Sequence, residues 1–167
     1  EMTFERHLAK GNFQTIIEES QVLLKQSSAT DDMRLAMVAY LNAALAHFYL
    51  GDIENAFSNV LHYKQICEEH GNSRDKYYLY YINAFIYEYE ANFEQARQAL
   101  QQCMEIALEH DAYVDYCNAA NFYSAILLML GQYNDAYEQA ELTRSIALNY
   151  CPDNLSIHYH YELTLAD

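Results

Sequence analysis

The chain has 167 residues, 52% of them apolar, with four Gly, one Pro and a formal charge of -15. That length and apolar content suffice for a substantial core, and so few Gly and Pro exclude a flexible or low-complexity chain. The negative charge repels phosphate backbones and anionic lipid surfaces, so nucleic acid and membranes are not expected partners, whereas a neutral or basic peptide is tolerated.

Residues 1–10 read as the end of a helix, because Phe4 and Leu8 share a face at helical spacing. Gly11 stops it, and Asn12 is placed to cap a second helix carrying Phe13, Ile16, Ile17, Leu23 and Leu24. Ser27-Ser28-Ala29-Thr30-Asp31-Asp32 reads as a turn that also supplies the next N-cap. A long helix is predicted from about Asp32 to Leu50, with Ala36, Tyr40, Ala43, Ala44, His47 and Phe48 at three- and four-residue steps. Gly51 ends it, and Asp52 caps a helix running to about His70. After Gly71-Asn72-Ser73 the pattern restarts: a Tyr-rich helix to Glu90, the Ala91-Asn92 turn, and a helix to about His110. Then come a helix ending at Leu130, the Gly131-Gln132 turn, and a helix to about Tyr150. Cys151-Pro152-Asp153 breaks the chain before a last segment, 154–167, whose alternating Leu155, Ile157, Tyr159, Tyr161, Leu163 and Leu165 suit a strand as well as a helix. The repeat register favours the helix. Each unit is two antiparallel helices joined by a very short turn, which forces the pair to be neighbours.

The short turns fall forty residues apart. Gly11-Asn12-Phe13, Gly51-Asp52-Ile53, Ala91-Asn92-Phe93 and Gly131-Gln132-Tyr133 each read small, polar, large apolar. A fixed period of this length marks a helical repeat array. Ala44, Ala84 and Ser124 lie seven residues before three of these turns, and Ala56, Ala96 and Ala136 lie five after. A large side chain at such positions would hold the paired helices apart. With Tyr40 and Tyr80 as early aromatics, this pattern resembles the tetratricopeptide repeat family over essentially the whole chain. The repeats are longer than that family's usual ~34 residues, Ala91 stands where Gly is usual, and Ile16 replaces the first repeat's Ala. HEAT-type arrays share the longer period and are the alternative.

The resemblance implies an all-α fold, a right-handed α-solenoid of antiparallel helix pairs with a tetratricopeptide-like superhelix. It implies one repeat domain over 1–167, divided into a partial repeat (1–30), full repeats (31–71, 72–111, 112–151) and a partial repeat (152–167). On that register the chain reads as a fragment of a larger protein whose last segment leaves apolar surface uncovered. Long arrays of this kind look like the sensor segments of bacterial regulators, including peptide-responsive regulators and diguanylate cyclases, although fold does not fix function.

In that family the first helices of successive repeats line a concave groove for a peptide or protein segment. Carried over, the groove positions are Leu41, Asn42, Leu45 and Tyr49; then Tyr78, Tyr81, Phe85, Glu88 and Tyr89; then Asn118, Asn121, Ala125 and Met129. Asn both donates to and accepts from a peptide backbone, and Tyr offers a rigid contact area with a polar tip. An aromatic stripe at helical spacing also fills cores, and Tyr80 and Tyr87 are the expected core members of the Tyr cluster.

The remaining chemistry-bearing residues have plainer explanations. His70 and His110 sit at helix C-termini, where the dipole favours them. His158 and His160 are two apart and point away from each other on a helix, and no His-Glu-x-x-His occurs, so no metal is expected. The Glu18-Glu19 and Glu68-Glu69 pairs read as exposed, solubilising charge. There is no Gly-rich phosphate loop, no Gly-x-Ser-x-Gly elbow and no identifiable acid–base pair, so neither catalysis nor a cofactor is expected. No apolar run approaches the roughly 20 residues that cross a bilayer, and the N-terminus lacks the profile of a secretory signal. Cys67, Cys103, Cys117 and Cys151 are widely spaced and read as reduced, mostly buried thiols of a cytoplasmic protein. The expected function is non-catalytic capture of a peptide or protein segment. The alternative is a structural module that self-associates through its Tyr-rich face or terminal segment.

Overall fold

The computed structural model describes residues 2–166, and among them every regular element is an α-helix. In chain order these are α1 (Met2–Ala9), α2 (Phe13–Thr30), α3 (Met33–Tyr49), α4 (Ile53–His70), α5 (Ser73–Tyr89), α6 (Phe93–Glu109), α7 (Tyr113–Met129), α8 (Tyr133–Tyr150) and α9 (Leu155–Ala166). From α2 to α8 the helices begin every twenty residues, so the forty-residue repeat of the sequence is two equal helical steps.

Turn chemistry sets that rhythm. Gly11, Gly51, Ala91 and Gly131 have φ of 69, 74, 57 and 72°, the left-handed conformation that ends a helix. The amide of each following residue then donates to the carbonyl five residues back: Asp52 to His47 at 2.9 Å, Asn92 to Tyr87 at 2.7 Å, Gln132 to Leu127 at 2.9 Å. Asp31 and Asp111, at φ 55 and 52°, close two of the turns between pairs in the same way. Gly71 is different. Its backbone is extended (φ -75°, ψ 145°), and a Cβ there would stand 2.4 Å from the Cys67 carbonyl oxygen, so lack of room requires glycine.

The predicted turn over Ser27–Asp32 is corrected: α2 continues through Thr30, and the turn is Asp31-Asp32 alone. Ser27 and Ser28 hydroxyls both donate to the Leu24 carbonyl, and Thr30 to that of Gln26, each at 2.9 Å. These residues favour turns only when their hydroxyls compete with the helix, and here they bond back onto it. Asp32 and Asp52 do cap, accepting from Leu35 N–H (3.1 Å) and Asn55 N–H (3.3 Å). Asn12 occupies the N-cap position of α2 but makes no side-chain capping bond; its amide meets His7 Nδ1 instead, at 3.3 Å.

The chain forms two compact units, Glu1–Asp75 and Lys76–Asp167. In the first, α1 packs on α2, α2 on α3 and α3 on α4. Ala44 and Ala56 are buried to 0 and 2% exposure, letting the α3 and α4 backbones approach, and the Tyr40 ring stacks on His62 at 4.9 Å across the same pair. Ile16, Ile17 and Ala46 hold Phe4, Leu8 and Phe13 against them. Tyr63 reaches from α4 to donate to the Asp75 carbonyl (2.9 Å), and Arg34 pairs with the Asp75 carboxylate (2.5 Å).

In the second unit α6 packs on α7, α7 on α8, and α9 on both α7 and α8. Ala84, Ala96, Ser124 and Ala136 are all at 0–1% exposure, so the small positions are structural here too. The buried Tyr of α5 is Tyr77, at 3%; the expected Tyr80 and Tyr87 are only partly buried against the same cluster. Tyr77 lies at the start of α5, where its hydroxyl reaches the Asp115 carbonyl of α7 (2.8 Å) and its own carbonyl accepts from Cys103 Sγ (3.4 Å). Buried Tyr needs such a partner, and at Tyr77 the geometry supplies one. All four cysteines are buried.

The last segment is helical, and the strand reading is set aside. Asn154 Oδ1 accepts from the Ile157 amide at 3.2 Å and starts α9. Ile157 and Tyr161, four apart, face inward at 1 and 2% exposure, while Leu155, Tyr159 and Leu163 face outward. His158 donates from Nε2 to the Cys151 carbonyl (3.2 Å) and accepts at Nδ1 from the Tyr161 hydroxyl (2.5 Å), tying α9 to the end of α8. No helix is long and apolar enough to cross a membrane, among the described residues.

Candidate functional site

Within the second unit the first helices of successive pairs, α5 and α7, meet through their side chains, and the predicted Tyr81 and Phe85 lie at that meeting. Tyr77 and Tyr81 stack at 5.8 Å, and Tyr78 meets Tyr77 edge-on at 5.2 Å. Tyr81 meets Phe85 edge-on at 5.4 Å. Both then meet Phe122 of α7, at 6.1 Å from Tyr81 and 4.6 Å from Phe85. The result is a continuous aromatic line running along α5 and across to α7, half-buried along Tyr78, Tyr81, Phe85 and Phe122.

Phe122 is absent from the predicted set, which took Asn121 instead. Its signal was present, since 118, 122, 125 and 129 follow helical spacing and place Phe122 on the line of Asn118 and Met129. Asn118 is exposed, and Met129 is 60% exposed at the far end of α7. Asn121 turns the other way: its Nδ2 donates to the Ile157 carbonyl of α9 at 3.3 Å, and its Oδ1 is buried without a hydrogen-bond partner among the described residues. Asn121 therefore binds a neighbouring helix. Ala125 is half-buried.

At the end of α5, Glu88 is half-buried and Tyr89 is 61% exposed. Burial alone pushes the Glu88 carboxyl above its ordinary range. In the first unit, α3 places Leu41, Asn42 and Leu45 at half-buried positions. Tyr49 is 51% exposed and stacks one face on Phe13 of α2 at 5.1 Å.

The buried titratable groups are held neutral. Burial pushes the Tyr77 hydroxyl well above its ordinary value, raises the Cys103 thiol, and lifts Cys117 to about 12. Among the described residues no three His, Cys, Asp or Glu side chains gather as metal ligands. Two open depressions, of about 480 and 530 Å3, lie at the turns around Asp31–Arg34 and around Cys151–Leu155, and neither includes a predicted site residue. The arrangement offers contact area, an acceptor carboxylate and an amide, which is chemistry for holding a chain.

No protein-family model matches this sequence, and no curated protein matches it.

Proposed function

We propose that this chain is a non-catalytic, tetratricopeptide-type repeat module that captures a peptide or protein segment on the face shared by α5 and α7. The observation that carries the reading is the aromatic line Tyr81–Phe85–Phe122, which Tyr77 joins to Tyr78, with Asn118, Tyr89 and Met129 exposed on the same two helices. Rigid aromatics supply contact area at low entropic cost, and an exposed amide can pair with any backbone. A corresponding face of α3, with Asn42 and Leu45, would serve the first unit. By analogy with long-repeat arrays, the module would be the cytoplasmic sensor or scaffold segment of a larger bacterial signalling regulator, with capture altering how it packs on an effector.

The test is selection of displayed random peptides on the whole chain, followed by binding of the enriched peptides to Tyr81→Ala, Asn118→Ala and wild type. Both variants should bind at least about tenfold more weakly while keeping the helical circular-dichroism signal. Equal binding by both would refute the site, and no enrichment would refute peptide capture.

A second reading, self-association, is favoured by one observation: Leu155, Tyr159 and Leu163 form an outward stripe on α9 at 79, 62 and 48% exposure. Light scattering across concentration decides it. A dimer that Leu155→Ser with Tyr159→Ser abolishes would support the stripe, and a monomer throughout would remove it.

A further inference from the structure

Glu88 lies on the same face of α5 as the aromatic line, seven residues after Tyr81 and three after Phe85, beside the exposed Tyr89. Its side chain is half-buried and makes no hydrogen bond or ion pair among the described residues. An ionised carboxylate only accepts, so losing water without gaining a donor is a standing cost. The unit offers no cation of its own to relieve it. Arg97 is held by Glu94, and Arg144 lies against Glu141 and Glu162. Lys76, the only other Lys or Arg of this unit, is twelve residues back along α5, about 18 Å by helical rise.

Resting on the peptide-capture reading, we propose that Glu88 is the anionic half of a subsite for an Arg or Lys side chain of the captured segment, with Phe85 and Tyr89 beside it. A guanidinium donates two parallel bonds to a carboxylate and lies flat on aromatic faces, and an ammonium does the same less specifically. A segment that is neutral here would bury Glu88 further without a donor, and an acidic one would be repelled. The charge of -15 draws basic segments toward the chain over longer distances. Burial of an unpaired carboxylate raises its proton affinity, as found at Glu88, and a bound cation would reverse that.

The peptide selection is repeated on Glu88→Gln, on Glu88→Lys, and on Glu138→Gln, which removes an exposed carboxylate of α8. Wild type and Glu138→Gln should enrich peptides sharing an Arg or Lys. Those peptides should bind Glu88→Gln at least about tenfold more weakly, and Glu88→Lys should turn the preference toward Asp or Glu. Enriched peptides with no basic residue, or basic peptides held equally by Glu88→Gln, overturn the subsite and leave peptide capture standing. Equal weakening by Glu138→Gln overturns it in favour of general charge attraction. If wild type enriches nothing, the capture reading falls and the subsite with it.

Discussion

Replacing Ala91 with glycine should make the protein more stable, although it removes a side chain. Ala91 closes the α5–α6 turn at φ 57°, where the equivalent residues of the other short turns are glycines. An L-residue in this conformation costs about 1–2 kcal/mol. Glycine removes that cost but gives back about 0.4–1 kcal/mol by loosening the unfolded chain. Ala91 is exposed, so little packing is lost with its methyl group. The balance is a gain of roughly 0.5–1 kcal/mol, or about 1–4 °C in melting midpoint for a chain of this size. Gly131→Ala is the mirror experiment: it lies at φ 72° with nothing within 4 Å of the added Cβ, so strain alone should lower stability by a similar amount. Circular-dichroism melts and urea titrations of both single variants and the double variant make the measurement, and the two effects should nearly cancel in the double. A fall in midpoint for Ala91→Gly, or no change for Gly131→Ala, would refute the account of the turn.

Ala84→Phe and Ala96→Phe each place a ring where the methyl group is at 0% exposure, and each should destabilise by ~1–3 kcal/mol in urea unfolding. Asn118→Ala should leave melting unchanged and weaken peptide capture, whereas Asn121→Ala should lower the midpoint, because it releases the Ile157 carbonyl of α9. Asp52 accepts from the Asn55 side chain and amide and from His47, which hold its carboxyl below the usual Asp range. A depressed folded-state pKa means that its stabilisation is complete above about pH 3.9 and is lost as pH falls through the lower folded value. Stability of wild type and Asp52→Asn measured from neutral to strongly acid pH should therefore converge only at the acid end.

The left-handed turn and the small positions were legible because each rests on local sterics: Gly51 and Gly131 permit positive φ, and Ala84 or Ala96 permits close helices whatever surrounds them. The twenty-residue step was legible only turn by turn and not from one signature, because the turns between pairs use unlike residues. Asp31 and Asp111 adopt the left-handed form, while Gly71 and Cys151 do not, so no single residue type marks the twenty-residue step. Which Tyr of α5 is buried depends on a carbonyl 38 residues away, at Asp115, and spacing within the helix cannot reveal it. Asn121 and Phe122 were interchanged for a related reason. They are adjacent on α7, and only the positions of α5 and α9 decide that the ring turns to one and the amide to the other.

The four buried thiols give the array its own clocks. Cys67 belongs to the first unit, and Cys103, Cys117 and Cys151 are spread over α6, α7 and the end of α8. A thiol reagent attacks the thiolate, and burial that lifts Cys117 to about 12 leaves almost none at neutral pH. All four are buried, so labelling must wait for the helices around each to part, and each rate measures a local opening, a shared one at Cys117 and Cys151, whose thiols meet. Neighbour-by-neighbour stacking within each unit makes its layers separable, and the order in which the sulfurs react would map where the helices first part.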